Sequence, residues 1–327
     1  MTPQIIDKFG REHTYLRISI TDRCNLRCFY CMPEEGIELT DKPNIMTLEE
    51  IVGISGIFTQ LGVDTIRLTG GEPLVRKGVD HLVRELVKLG VTLKLTTNGI
   101  VLNKYFDVFQ EVGLRKINIS LDTLEKSKSL FITKRDYFDR VMENINKAID
   151  YDFDIKLNIV LIKGVNDMEI NDFINLTKDQ DIVVKFIEFM PFRGNEWDWD
   201  KGVSKEEILD TVKSEYGEIK KLEDPKHSTS ANYKVKGFEG SFGIVSTITN
   251  PFCAGCNRIR LTADGKMKNC LFATSETDLL TPYRNGESVD EIILSAIKKK
   301  KFSRDGMDVE MEKEHYEQNR PMISIGG

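Results

Sequence analysis

Six times in its first two hundred residues, this chain passes through a short β-like run, five of them with an amphipathic helical stretch leading to the next. Leu16–Thr21, Thr65–Thr69, Thr92–Thr96, Lys116–Ser120, Ile155–Leu161 and Ile182–Phe189 are rich in β-branched residues, and turn residues follow most of them. Between them, Leu48–Leu61, Val79–Leu89, Leu102–Val112, Phe138–Tyr151 and Met168–Lys178 carry apolar residues at helical spacing. Gly62, Gly90 and Gly113 stand just past the expected helix ends, where a left-handed cap is common. Repeated βα units require a parallel sheet with helical crossovers, because a hairpin cannot join parallel neighbours. The spacing leaves an open doubly wound sheet, a full barrel and a partial barrel all standing.

After about residue 195 the pattern changes. A helix is expected at Lys205–Tyr216, strands at Asn232–Val235 and Phe242–Thr247, and a hairpin over Arg258–Asn269 turning at Asp264-Gly265. A last helix is expected at Val289–Lys300. With 327 residues, two domains are expected: 1–195 as an α/β unit and 196–327 as an α+β extension. The balance of 46 Lys+Arg against 52 Asp+Glu gives a net charge of −6. That argues against a general nucleic-acid or anionic-membrane binder and leaves room for a local basic pocket. No run approaches the ~20 apolar residues of a membrane span. Met1–Lys8 lacks the layout of a signal peptide, so a cytoplasmic protein is expected.

Six cysteines in such a chain do not suit a disulfide framework, and they are not scattered. Cys24, Cys28 and Cys31 form a C-x3-C-x2-C run directly after the first strand. A structural zinc site needs four ligands, and no His or fourth Cys lies nearby in sequence. An iron–sulfur cube also takes four, so three thiolates leave one iron open for a ligand that is not protein. Zinc with a distant fourth ligand is the competing reading.

This spacing, with Tyr30 just before the last Cys, resembles the signature of the radical S-adenosylmethionine enzymes. The resemblance implies a 4Fe–4S cluster whose open iron chelates S-adenosylmethionine and whose electron releases a 5′-deoxyadenosyl radical. Thr69-Gly70-Gly71-Glu72-Pro73 matches that family's GGEP motif, and Thr96-Thr97-Asn98-Gly99 and Ser120-Leu121-Asp122 end the third and fourth strands. By the same resemblance Tyr30, Gly71, Ser120 and Met190 are expected to bind S-adenosylmethionine. A partial (β/α)6 TIM-like barrel is then favoured, with functional residues gathered at the C-terminal ends of its strands.

Cys253, Cys256 and Cys270 repeat the theme as C-x2-C-x13-C, and Arg258 and Arg260 follow on one face of an expected strand. With this second set the chain resembles, nearly end to end, the GTP-cyclising members of that family. The resemblance implies a second 4Fe–4S cluster that binds guanine, with GTP as substrate. It implies GTP contacts at Arg17, Arg67, Thr96, Lys156, Arg258, Ile259 and Arg260, and a catalytic role for Arg258, Arg260, Gly326 and Gly327. It also implies an external electron donor, a downstream cyclic pyranopterin monophosphate synthase acting on the product, and a homodimer. Lys185 stands where a relative carries Arg, and Thr65 where Lys can occur. Lys298–Lys301 reads as a solvated helix end. Two rivals remain: a two-cluster enzyme that modifies peptides, and a zinc-binding interaction protein.

Overall fold

The computed structural model describes residues 4–33, 35–307 and 317–326. The six expected strands are present as β1 (Tyr15–Ser19), β2 (Thr65–Thr69), β3 (Thr92–Thr97), β4 (Lys116–Ser120), β5 (Asp154–Leu161) and β6 (Val183–Glu188). They pair in chain order, each parallel to the next. Helices α1 (Leu48–Gln60), α2 (Val79–Val87), α3 (Phe106–Glu111), α4 (Lys126–Thr133), α5 (Phe138–Asp150) and α6 (Ile170–Asn175) form the crossovers. Thr47 and Glu50 start α1 with a reciprocal capping box, Glu50 N donating to Thr47 Oγ1 at 3.2 Å and Thr47 N to Glu50 Oε2 at 2.7 Å.

Residues 205–298 contribute α7 (Lys205–Tyr216), β7 (Ile219–Lys221), β8 (Ala231–Val235), β9 (Ser241–Val245), β10 (Arg258–Leu261), β11 (Lys266–Lys268), β12 (Thr277–Asp278), α8 (Leu280–Arg284) and α9 (Asp290–Lys298). This second half brackets the first. β9 pairs parallel with β6, and β10 pairs parallel with β1, so one sheet of twelve strands has both of its flanks built from the C-terminal region. β10 and β11 form the hairpin expected around Asp264-Gly265.

Strand alternation explains where the core and the site lie. On β5 every second residue, Ile155, Leu157, Ile159 and Leu161, is buried in the main hydrophobic core. The intervening Lys156, Asn158 and Val160 are half-buried on the opposite face, which is the inside of the curved sheet. The helices cover the outer face with Phe58, Phe109 and Phe173, all fully buried.

Several boundaries differ from the pattern read in the sequence. The stretch Leu102–Val112 is a 3-10 turn at Leu102–Lys104 followed by α3, because Tyr105 departs from helical geometry at φ −120°. Its hydroxyl donates to Leu74 O and its ring stacks on Phe109, tertiary contacts that spacing does not reveal. The helix expected over Met168–Lys178 shortens to Ile170–Asn175 behind the 3-10 turn Asp167–Glu169. Helix α4 was not expected: Lys-Ser-Lys-Ser opens it, and only Ile132 is buried.

Candidate functional site

The Cys24–Cys31 run is a loop leaving β1, held from two sides by backbone. Arg27 N and Phe29 N donate to Thr133 O and Ile132 O at the end of α4, at 2.9 and 3.2 Å. From β2, Gly71 N and Glu72 N donate to Thr21 O (2.7 Å) and Arg23 O (2.8 Å). The approach is so close that a Cβ on Gly71 would lie 2.4 Å from Arg23 O, and one on Gly70 2.6 Å from Thr21 O. Two glycines are therefore a steric requirement of this loop.

Glu72 is buried and accepts from Leu74 N (3.0 Å), Thr97 Oγ1 (2.7 Å) and Asn98 N (2.6 Å). Burial raises its carboxyl to about 7 against those hydrogen bonds. Asn98 Nδ2 in turn donates to Asn25 Oδ1 (2.7 Å) and faces Cys24 Sγ at 3.9 Å, linking the ends of β2 and β3 to the cysteine loop. On the other side Tyr30 Oη donates to Asp122 Oδ2 (2.7 Å), whose Oδ1 accepts from Val160 N (2.9 Å). Burial raises Asp122 to about 6.

The second cysteine set lies across the same cavity. Cys253–Gly255 is a 3-10 turn, Cys256 N donating to Cys253 O at 3.1 Å, and Cys270 follows β11. Asn257 anchors the loop to Thr14 and Tyr15 beside β1. His227, remote in sequence, is brought alongside: its Nδ1 is 2.7 Å from Gly255 O. The thiols differ. Burial raises Cys24 and Cys270 to about 11, and raises Cys28 and Cys31 further. Burial also acts on Cys256, but Lys300 and Arg258 outweigh it and hold that thiol below its ordinary value.

Between the two sets lies a cavity of about 370 Å³, within the range of small-molecule sites. All six cysteines line it. So do Arg17, Tyr30, Gly71, Thr96, Ser120, Met190, Arg258 and Arg260 among the residues expected from sequence. Arg67 and Lys156 sit on the same inner face without lining it, Arg67 being tied to Tyr15 Oη (2.7 Å), Leu95 O (2.7 Å) and Thr96 Oγ1 (3.3 Å). The Ile259 side chain points the other way into the core, fully buried, so only its backbone faces a neighbour of the site. Gly326 enters the inside of the sheet between Ser19 and Thr69, and Arg260 Nη1 donates to its carbonyl at 2.6 Å. Gly327 lies outside the described residues.

Register makes the interior cationic. Lys268, Arg260, Arg17, Arg67, Lys94 and Lys116 are successive partners across β11, β10, β1, β2, β3 and β4. Burial, with Arg260 next to it, holds Arg17 well below the usual guanidinium range. Burial likewise brings Arg260 to about 10, and burial with Lys156 and Arg67 brings Lys185 to about 7. Nη1 of Arg258 is buried with no hydrogen-bond partner among the described residues, while Nη2 donates to His227 O at 2.7 Å. Desolvated Arg17, Arg260 and Lys185, beside the unmatched donor of Arg258, fit a polyanion.

Among the described residues, no three His, Cys, Asp or Glu side chains converge as ligands of one metal ion. An iron–sulfur cube does not ask for that, since each thiolate binds a different iron. The donor set fits a cube: each set offers three soft thiolates to one cavity.

A family described as the Radical SAM superfamily matches residues 18–177, and one described as Molybdenum Cofactor Synthesis C matches residues 182–305. The mitochondrial GTP 3′,8-cyclase of Arabidopsis thaliana is 48% identical over 333 residues, covering 100% of this chain and 84% of the relative. The GTP 3′,8-cyclase of Peptoclostridium acidaminophilum is 45% identical, covering 99% of this chain and 98% of the relative. This chain belongs to the GTP 3′,8-cyclase family of radical SAM enzymes. Molybdenum cofactor biosynthesis protein 1 of Homo sapiens is 46% identical over 98% of this chain, which spans 51% of that relative's length. The crystal structure of Streptococcus suis SuiB bound to S-adenosylmethionine shares the fold, with a TM-score of 0.59 at 15% identity over 89% of this chain and 69% of that one. As a radical SAM enzyme the chain uses a 4Fe–4S cluster and S-adenosylmethionine.

Sequence reasoning missed several residues around this site. Lys300, in the four-lysine run read as solvated, is buried against Cys256. Arg304 lines the cavity with Nη1 donating to Ile248 O. The only hint of Lys300 was its place one turn beyond the Val289–Ile297 apolar spacing. Arg304 left no trace in spacing.

Proposed function

We propose that this chain cyclises GTP to (8S)-3′,8-cyclo-7,8-dihydroguanosine 5′-triphosphate, with a radical-generating centre at Cys24, Cys28 and Cys31 and a second, substrate-binding 4Fe–4S cluster at Cys253, Cys256 and Cys270. The observation that carries this reading is that both cysteine sets line one cavity together with the cations Arg17, Lys185, Arg258 and Arg260. Residues 1–195 would form the radical-generating unit and 196–327 the unit that holds the substrate.

When bound, the first cluster and S-adenosylmethionine supply a 5′-deoxyadenosyl radical, which takes hydrogen from C3′ of the ribose. The residues present do the rest by position and charge. Glu72, with Thr97 and Asn98 fixing its carboxylate, offers a negative charge to the methionine ammonium. Gly71, Tyr30, Ser120 and Met190 shape the walls around the adenosyl group. Arg17, Thr96 and Lys185, with Lys156 and Arg67 behind them, face the triphosphate. Two unit charges 4 Å apart interact by about 4 kcal/mol at an effective dielectric of 20, so a few cations suffice to hold about four negative charges. Arg258 and Arg260 aim guanidinium groups at the substrate from β10, the latter steadied by Gly326 O. C3′ then closes on C8 of guanine, and one electron from an external donor with one proton completes the product.

A cyclic pyranopterin monophosphate synthase would consume that product, and a reducing cytoplasmic setting suits thiolate-held clusters. A homodimer belongs to the same reading. Anaerobic turnover with 3′-deuterated GTP tests it. Deuterium should appear in 5′-deoxyadenosine, in protein holding about eight iron per chain. No transfer from that position, or two zinc ions and no iron, overturns the reading.

A further inference from the structure

Just beyond α9, Lys300 turns inward while Lys298, Lys299 and Lys301 stay exposed. Only 3% of its surface is accessible. Its Nζ donates to Arg258 O at 2.9 Å and Asn269 O at 2.5 Å, and lies 3.7 Å from Cys256 Sγ. Arg258 follows Cys256 by two residues and Asn269 immediately precedes Cys270. A single ammonium therefore ties together the two arms that carry the second cysteine set. Arg11 performs a parallel task at the remaining cysteine, its Nη1 donating to Cys253 O at 2.7 Å while Asp7 grips its Nε at 2.6 Å.

Arg258 and Arg260 carry their charge into the cavity, where substrate would meet it. Lys300 does not line that cavity and presents its charge to the sulfur from behind the loop. Burying an ammonium is expensive unless acceptors and negative charge surround it. Two carbonyls and a thiolate meet that need here.

We propose that Lys300 is the positioning residue of the second cluster: its ammonium holds the Cys256 and Cys270 arms in one frame and gives Cys256 a charged N–H···S bond that makes the bound cluster easier to reduce. This rests on the reading that Cys253, Cys256 and Cys270 hold an iron–sulfur cluster. The direction follows from charge. Reduction adds an electron to the cluster, so a nearby cation stabilises the reduced form more than the oxidised one. A residue that only packs the loop would leave the potential alone.

The test uses the full chain, anaerobically reconstituted, as wild type, Lys300→Met and Lys300→Arg. Iron content and electron paramagnetic resonance redox titrations are recorded, the signal perturbed by S-adenosylmethionine marking the first cluster. Lys300→Met should keep about eight iron with only the second midpoint shifted to more negative potential, or fall to about four while S-adenosylmethionine cleavage continues. In either case Lys300→Arg should restore iron and bring the midpoint back toward wild type. Lys300→Met with about eight iron and both midpoints unmoved overturns the proposal, as does a loss that Lys300→Arg does not recover. Wild-type protein holding only about four iron overturns the parent reading and this proposal together, a result visible before any variant is made.

Discussion

Replacing Gly326 by Ala should uncouple radical generation from cyclisation. Gly326 has φ +83°, a left-handed conformation that costs a residue with a Cβ about 1–2 kcal/mol. The added Cβ would also lie 2.5 Å from Thr69 Oγ1 and 2.9 Å from Ser19 Cβ, at the C-terminal ends of β2 and β1. Both neighbours are buried and cannot yield freely, and overpacking of this kind costs about 1–3 kcal/mol. A combined penalty of at least 2 kcal/mol lowers docking of the tail about 30-fold, at 1.4 kcal/mol per factor of ten. The bond from Arg260 Nη1 to Gly326 O is lost with it. One anaerobic reaction with both products quantified reads this directly. Cyclised nucleotide formed per 5′-deoxyadenosine should fall at least tenfold, while S-adenosylmethionine cleavage persists. Thr69→Ala in the same chain removes the closer obstacle and should recover part of the loss, the Ser19 contact and the backbone strain remaining. Wild-type coupling in Gly326→Ala, or no recovery in the double variant, refutes the reasoning.

Cys24→Ala should abolish S-adenosylmethionine cleavage, whereas Cys270→Ala should spare slow, unproductive cleavage and lose cyclisation; equal losses would contradict separate roles for the two sets. Lys185 titrates near 7 because it is buried among cations. GTP favours the ammonium form, so calorimetry should show affinity level below pH 7 and weakening above it, by at most about tenfold per pH unit. Lys185→Arg, charged throughout, should flatten that profile. Glu72 also titrates near 7, through burial, but the form useful to an ammonium is the carboxylate. S-adenosylmethionine affinity should therefore rise between pH 6 and 8, the opposite sign, and Glu72→Gln should bind weakly with no such slope.

The βα repeats were legible because a parallel sheet covered by helices imposes apolar runs of limited length. β2 and β4 match the expected bounds residue for residue. The helices after β3 and β5 start later than spacing suggests, since Tyr105 and Glu169 answer to partners in other elements. Glu169 is buried, with its carboxylate receiving Thr123 Oγ1 and Leu124 N. Of the site, the two cysteine loops and Gly70-Gly71 were readable, for a steric reason the structure makes explicit in the 2.4 Å approach at Gly71. Lys300 was hidden inside a run of like residues: three of the four are solvated, and only its place one turn after Ile297 sets the fourth apart.

What the sequence alone determined is chemistry that depends on neighbours along the chain: three thiolates within eight residues, glycines before Glu72, and alternation along each strand. Those properties act over a few bonds and hold in any fold that places a loop after a strand. What only the tertiary structure decided is which distant groups share a space. Arg260, Arg17, Arg67 and Lys94 become one cationic row because β10, from the C-terminal part of the chain, joins the sheet beside β1 near its start. The same pairing carries the second cysteine set to face the first, and gives the tail at Gly326 an arginine to meet. Sheet register is a property of paired backbones, and no periodicity within a single strand encodes its partner.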